Sequence, residues 1–386
     1  MTGRQTPNPD DTIVVTLAGD MMFDGRLSPP RLLLRQMELL SCTAAYRDSV
    51  PIPFLNNDNS RRWLAKQGCT LTGVEHTSHV TNSISLVGAG DALDAYAPFR
   101  HVGATLQSSD IVFANLECTL SSRGRRMKSD NCYRASPHFA QAMHDAGISI
   151  VSFSNNHCMD YGECAFRDTI QELEANDVAV VGPVINSDSS RRAIVIERCG
   201  ISLAFLAYNL VGPDYVYAWD HESGVIPLNE VSLIEDLEEI RSVVDWVAVS
   251  VHWGMEGSHL PFQRQILLAH TLVDLGADFI IGHHTHVPGP IEIYKDKLIF
   301  YSLGNFLFGY THRNWADNMI VTLRISRDTS AAEVVPLGTT ASEQYQPAVL
   351  HGHRRESLLN LIRGLSLPYM TDISPVTGLV LPSEIR

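Results

Sequence analysis

Short runs of β-branched and aromatic residues recur along the chain, and each ends on a polar cluster. Residues 12–18 (TIVVTLA) stop at Gly19-Asp20, residues 110–114 (DIVFA) at Asn115-Leu116-Glu117, and residues 148–153 at Ser154-Asn155-Asn156-His157. Residues 246–251 stop at His252-Trp253-Gly254, and residues 278–281 at Gly282-His283-His284. Such runs predict buried strands whose C-terminal ends deliver polar side chains. Helical patterns fall between them, over 137–146, 165–175, 231–244 and 261–275. The last two set apolar residues at three- and four-residue spacing against a charged face. The alternation implies a layered α/β fold, in which functional groups gather where strands end.

Two regions break the alternation. Residues 27–90 are irregular and polar, and they are expected to form an insertion packed over the site as a substrate-binding lid. Residues 341–386 hold several prolines and one helical pattern at 356–364, and are expected to wrap the domain as a C-terminal extension. Residues 1–11 are polar, with Pro7 and Pro9, and are expected to be disordered or loosely packed. The catalytic domain is then 12–340.

Composition narrows the classes. The chain has 386 residues, 45% of them hydrophobic, which is ample for one large core. Its 29 basic residues face 43 acidic ones, a net charge of −14 that argues against nucleic acid and anionic membrane surfaces as partners. No apolar run reaches a membrane span and no signal peptide is evident, so no membrane insertion and a cytoplasmic location are expected. The seven cysteines are scattered without a zinc or disulfide pattern, which fits reduced thiols.

The strand ends carry the chemistry. Asp20, Glu117, Asn156, His157, His252, His284 and His286 are carboxylates, imidazoles and a side-chain amide, the donors that hold Zn, Mn, Fe or Mg in hydrolytic sites. A single Gly-Asp after a strand is commonly a turn, and a single buried histidine commonly a hydrogen-bonded core residue. Five such clusters at successive strand ends make that reading improbable. One or two divalent ions are expected, of unresolved identity. No arginine cluster stands out beside the motifs.

The segments 17–22 (LAGDMM), 115–117 (NLE), 155–162 (NNHCMDYG), 252–254 (HWG), 282–287 (GHHTHV) and 301–306 (YSLGNF) resemble the CapA/PgsA family. That family is named for bacterial capsule and poly-γ-glutamate synthesis and belongs to the calcineurin-like metallophosphatase superfamily. The resemblance runs in order over about 12–326. It implies a four-layer α/β/β/α sandwich with a metal centre between strand ends. Asp20 and His286 would hold one ion, Asn156, His252 and His284 the other, and Glu117 would bridge them. His157 would act as general acid or base, oriented by Asp160.

The departures bear on the reaction. Where metallophosphatases place a histidine two residues after the first aspartate, this chain has Met22, whose thioether suits hard divalent ions poorly. Asp24 is a candidate additional acid/base, with a solvated turn carboxylate as the alternative. Arg26 is a candidate to bind a substrate carboxylate or phosphate, with a structural salt bridge as the alternative. Three functions follow in order of preference. The first is epimerisation of an α-carbon in a peptide substrate, the chain being similar to the lasso-peptide epimerase branch. The second is phosphoester hydrolysis, and the third an accessory role in poly-γ-glutamate synthesis.

Overall fold

The computed structural model describes residues 12–23, 96–128, 131–185, 193–218, 223–226, 228, 230–308, 317–339 and 345–383. These all belong to one compact unit. The expected N-terminal segment 1–11 and the whole of the insertion 27–90 lie outside the described residues, as do Asp24 and Arg26.

All five apolar runs form strands. In chain order, β1 is Ile13–Met22, β2 Ile111–Leu116 and β3 Ile150–Ser152, followed by β4 at Ala179–Val181. These pair in parallel in the order β1, β2, β3, β4. After β5 (Ile194–Arg198) and β6 (Ile201–Asn209) come β7 at Trp246–His252 and β8 at Phe279–His283. Strands β6, β7 and β8 are also parallel neighbours. Further strands extend both sheets: β9 (Ile291–Tyr294), β10 (Lys297–Phe300), β11 (Asn305–Phe308), β12 (Asn318–Ile325) and β13 (Ser330–Gly338). The chain thus forms an eight-stranded and a six-stranded sheet among the described residues.

The helices lie where the spacing places them, with ends shifted by at most four residues. They are α1 (Phe139–Asp145), α2 (Gly162–Ala175), α3 (Glu230–Arg241), α4 (Gln263–Asp274) and α5 (Gly352–Ser366). No helix among the described residues is long and apolar enough to cross a membrane.

Period-two alternation explains the layering. In β2, Ile111 and Phe113 face the second sheet, while Val112 and Ala114 face α1 and α2. In β7, Ala248 faces the first sheet, while Val247 and Val249 face α3 and α4. The sheets meet directly, with the rings of Phe113 and Phe205 stacked 5.4 Å apart and 3° from parallel. Helix α5 adds Leu358, Leu359 and Ile362 to the inter-sheet core. The architecture is the four-layer α/β/β/α sandwich.

Candidate metal centre

Both sheets end their parallel strands at the same place, and the polar clusters meet there. Strand β1 runs past its expected end, so Asp20 lies within it, paired in register with Asn115 on one side and Asn305 on the other. That insertion of Asp20 between two strands depends on Gly19. A Cβ on Gly19 would sit 1.9 Å from the Gly304 carbonyl oxygen, and the same oxygen accepts the Asp20 N–H at 2.9 Å.

His252 occupies the middle of the cluster. Its Nε2 lies 2.9 Å from Asn156 Oδ1, 3.1 Å from His284 Nδ1 and 3.2 Å from Glu117 Oε1. One ring proton cannot serve three acceptors at once. A divalent ion bonded at about 2.0–2.2 Å to N and O donors brings those donors to about this spacing. The second oxygen of Glu117 is buried with no hydrogen-bond partner among the described residues. An orphaned carboxylate oxygen is costly unless a cation meets it. The donor set and the orphaned oxygen both fit a divalent metal.

Asp20 lies on the other side of Glu117. It accepts from Asn115 Nδ2 (2.9 Å) and from the His284 N–H (3.1 Å), with His286 Nδ1 3.4 Å away. His286 donates its Nδ1–H to Asn305 Oδ1 at 2.9 Å and turns Nε2 towards Glu117, at 3.8 Å. His284 and His286 adopt left-handed backbone conformations, φ 86° and 60°. Such conformations cost about 1–3 kcal/mol each and cluster at functional sites. They allow two side chains from one loop to enter the same small space.

The electrostatics follow from burial opposed by close charges. Burial holds His252 well below the ordinary imidazole range and brings His284 down to about 4, so both are neutral at pH 7. Burial also lowers His286, but Glu117 and Asp20 outweigh it and raise it to about 9. For Asp20, burial is outweighed by His283 and His286, which hold the carboxyl well below its usual range. Glu117 is pushed well above its usual range by burial and by Asp20.

His157 lies one residue beyond Asn156. Its Nδ1 meets Asp160 Oδ2 at 2.7 Å, and that oxygen also accepts the Tyr133 N–H at 2.7 Å. Lys128 Nζ sits 3.0 Å from the other oxygen. Burial raises Asp160, but His157, Lys128 and the Tyr133 N–H outweigh it, leaving an ionised carboxylate. Burial lowers His157 despite Asp160 beside it. The pair is therefore a neutral imidazole donating Nδ1–H to a carboxylate, with Nε2 left to take a proton.

The structure thus brings together Asp20, Glu117, Asn156, His157, Asp160, His252, His284 and His286. Asp24 and Arg26 lie outside the described residues. Three features were not legible beforehand. Asn155 bridges Asn115 Oδ1 (3.1 Å) and the Leu116 carbonyl (2.8 Å), tying the β3 loop to β2; the doubled asparagine of NNH is the signal that marks it. Glu256 joins His284 and His286, one donor atom from each lying within 4.8 Å of the others. The third is a correction: an arginine cluster does stand beside the motifs. Residues 123–128 (RGRRMK) are fastened along the dyad by Arg125 N–H to the Tyr161 carbonyl (3.1 Å) and Met127 N–H to the Asp160 carbonyl (2.9 Å). The segment follows Glu117 by six residues, but its placement along His157 and Asp160 comes only with folding.

Comparison with known proteins adds the following. The family model described as bacterial capsule synthesis protein PGA_cap matches residues 14–310. The chain is 29% identical over 308 residues to the capsule biosynthesis protein CapA of Bacillus anthracis, covering 78% of this chain and 72% of that one. It is 30% identical over 243 residues to the PGA biosynthesis protein CapA of Bacillus subtilis (strain 168), covering 62% of this chain and 64% of that one. Among solved structures it is similar to a hypothetical protein from Thermus thermophilus, 20% identical with a TM-score of 0.40 over 63% of this chain and 94% of that one. A likeness that slight carries no weight.

Proposed function

The chain belongs to the bacterial capsule synthesis protein family PGA_cap, and from that premise we propose that it is a metal-dependent acid/base enzyme acting on a peptide-type chain. In this reading it removes and returns the proton of an α-carbon, inverting the centre. One observation carries the reading: a neutral His157, backed by ionised Asp160, stands one residue from the donor Asn156.

Asn156, His252, His284 and Glu117 would hold the ion, with Asp20 and His286 on the far side of Glu117. A divalent ion there supplies Lewis acidity, polarising a carbonyl and lowering the barrier to loss of the adjacent α-proton. His157 Nε2 receives that proton, while Asp160 keeps the ring oriented and stabilises the imidazolium that forms. Asp24 is proposed as the group on the opposite face and Arg26 as a substrate contact. The exposed arginines of residues 123–128 favour an acidic chain, which fits the PGA and polyglutamine synthesis named for the relatives. A cytoplasmic setting fits the thiols of Cys158, Cys164 and Cys199, which form no disulfide.

Two other readings have specific support. Donors on both sides of Glu117 suit a two-ion clamp for phosphoester hydrolysis. A non-catalytic role in polymer assembly fits the accessory function in the name of a Mycobacterium tuberculosis relative. The deciding experiment incubates the metal-loaded protein in D₂O with a peptide panel that includes γ-linked glutamate oligomers. One deuterium gained at an α-carbon, and blocked by chelator, is expected. Hydrolysis of phosphoesters without such exchange would move the assignment to the second reading. Neither activity with metal bound would move it to the third.

A further inference from the structure

We propose that Glu256 is a metal ligand, holding with His284 and His286 a second divalent cation at the mouth of the centre. The inference rests on the metal-centred part of the reading above and is independent of its proton transfer. One oxygen of Glu256 and one nitrogen from each imidazole form a donor group separate from that of Asp20, Glu117 and His252; with both ions bound, His284 would serve this one and leave Asn156, Glu117 and His252 to the other. Two imidazoles and one carboxylate are a sufficient protein share for a Zn, Mn or Fe site that keeps open positions.

The backbone is built to bring Glu256 there. Glu256 lies four positions after His252 at the end of β7, and Gly254 turns the chain through a left-handed conformation, φ 94°. Gly257 then donates its N–H to the Thr285 carbonyl at 2.8 Å, and Ser258 N–H closes the turn on Met255 O at 3.0 Å. Thr285 is the residue between the two histidines. The turn bearing Glu256 is thereby bonded to the loop bearing His284 and His286. The ring of His286 is fixed by its Nδ1–H bond to Asn305 Oδ1, so Nε2 is the nitrogen that would meet an ion, which takes the place of its proton; metal-bound histidines are commonly oriented this way.

The end of β1 supplies no third donor of this kind. Met22 is wholly buried at the end of β1, in register with Phe308, and brings only a thioether. A hard oxygen donor must come from elsewhere. Glu256 is half-buried, so an ion bound by it remains open to solvent and substrate, unlike one enclosed by Glu117 and His252.

The test uses the full chain, stripped by chelator and titrated with Mn(II) alone. Bound metal is counted after equilibrium dialysis, and spin resonance is recorded. The wild type is expected to bind two ions and to show the exchange-coupled signal of a pair. Glu256→Gln is expected to weaken one site by about 100-fold or more and to leave the six-line signal of an isolated Mn(II). Glu256→Asp, which keeps the carboxylate, is expected to recover part of the second site. Two ions at unchanged affinity in Glu256→Gln would overturn the proposal, as would a wild type that binds only one. Two bound ions without deuterium exchange would remove the epimerase reading and leave this one standing.

Discussion

His252 Nε2 and His284 Nδ1 lie 3.1 Å apart, both rings buried and both driven to the neutral form. They come from the ends of adjacent parallel strands, β7 and β8, paired with His252 opposite His283. A ring proton can bridge this pair, but His252 Nε2 also faces Asn156 Oδ1 and Glu117 Oε1, and a cation among these donors satisfies all of them at once. The relationship therefore makes the centre a place where metal binding and folding are coupled.

Metal removal is expected to lower thermal stability. An ion at a hundredfold excess over its Kd contributes about 2.7 kcal/mol to the folded state. Calorimetry should show a melting temperature that rises with added Mn(II) or Zn(II) and falls with chelator. His252→Ala should abolish most of that response. A response of unchanged size in His252→Ala would remove this residue from the ligand set.

His157→Asn should separate chemistry from binding. The imidazole is not among the donors that crowd His252, so metal content and melting temperature should stay near those of the wild type. Turnover in the deuterium-exchange assay should fall by about 10²–10⁴-fold, the usual worth of a general base. Full turnover in the variant would mean that another group moves the proton.

Phe113→Ala tests the contact between the sheets. Phe113 is fully buried and stacked on Phe205 across the inter-sheet core. Truncation of such a ring costs about 3–5 kcal/mol. Denaturant titration should show the loss with little change in slope. A loss below about 1 kcal/mol would mean that the sheets repack around the gap.

Asp245 supplies a pH-dependent term far from the centre. Burial raises its carboxyl, but Ser202 N–H and Ser202 Oγ, each 2.8 Å from Oδ2, outweigh burial and lower it. Because the folded value is depressed, its contribution is full above the ordinary aspartate range and fades as pH falls through the folded value. Asp245→Asn should therefore cost about 1–2 kcal/mol at pH 7 and progressively less in acid. An equal cost at pH 7 and pH 3 would show that the charge is irrelevant.

Much of this protein was legible along its chain. A buried strand needs an unbroken apolar run, and a polar residue that interrupts one must lie at its end or in a site. The runs at 12–18, 110–114, 148–153, 246–251 and 278–281 thus announced both the strands and most of the donors. Strand β6 carried no polar cluster at its end that stood out, although its apolar run Ile201–Asn209 lies inside the second sheet, between β5 and β7. Glu256 and residues 123–128 could not be singled out, because a carboxylate or arginine in a turn looks the same whether it faces solvent or a metal.

The order of strands and helices, the four layers and the types of donor are properties of local pattern, set by residue spacing and hydrophobic burial. Which donors share one ion depends on distances between groups far apart in the chain, such as His284 N–H and Asp20, 264 residues apart. Those distances arise only when Gly19 lets β1 close on Gly304 and left-handed turns at His284 and His286 aim both rings inward. Local pattern determined what this chain could bind with; the tertiary contacts of its backbone decided where, because a coordination sphere is a short-range arrangement built from long-range parts.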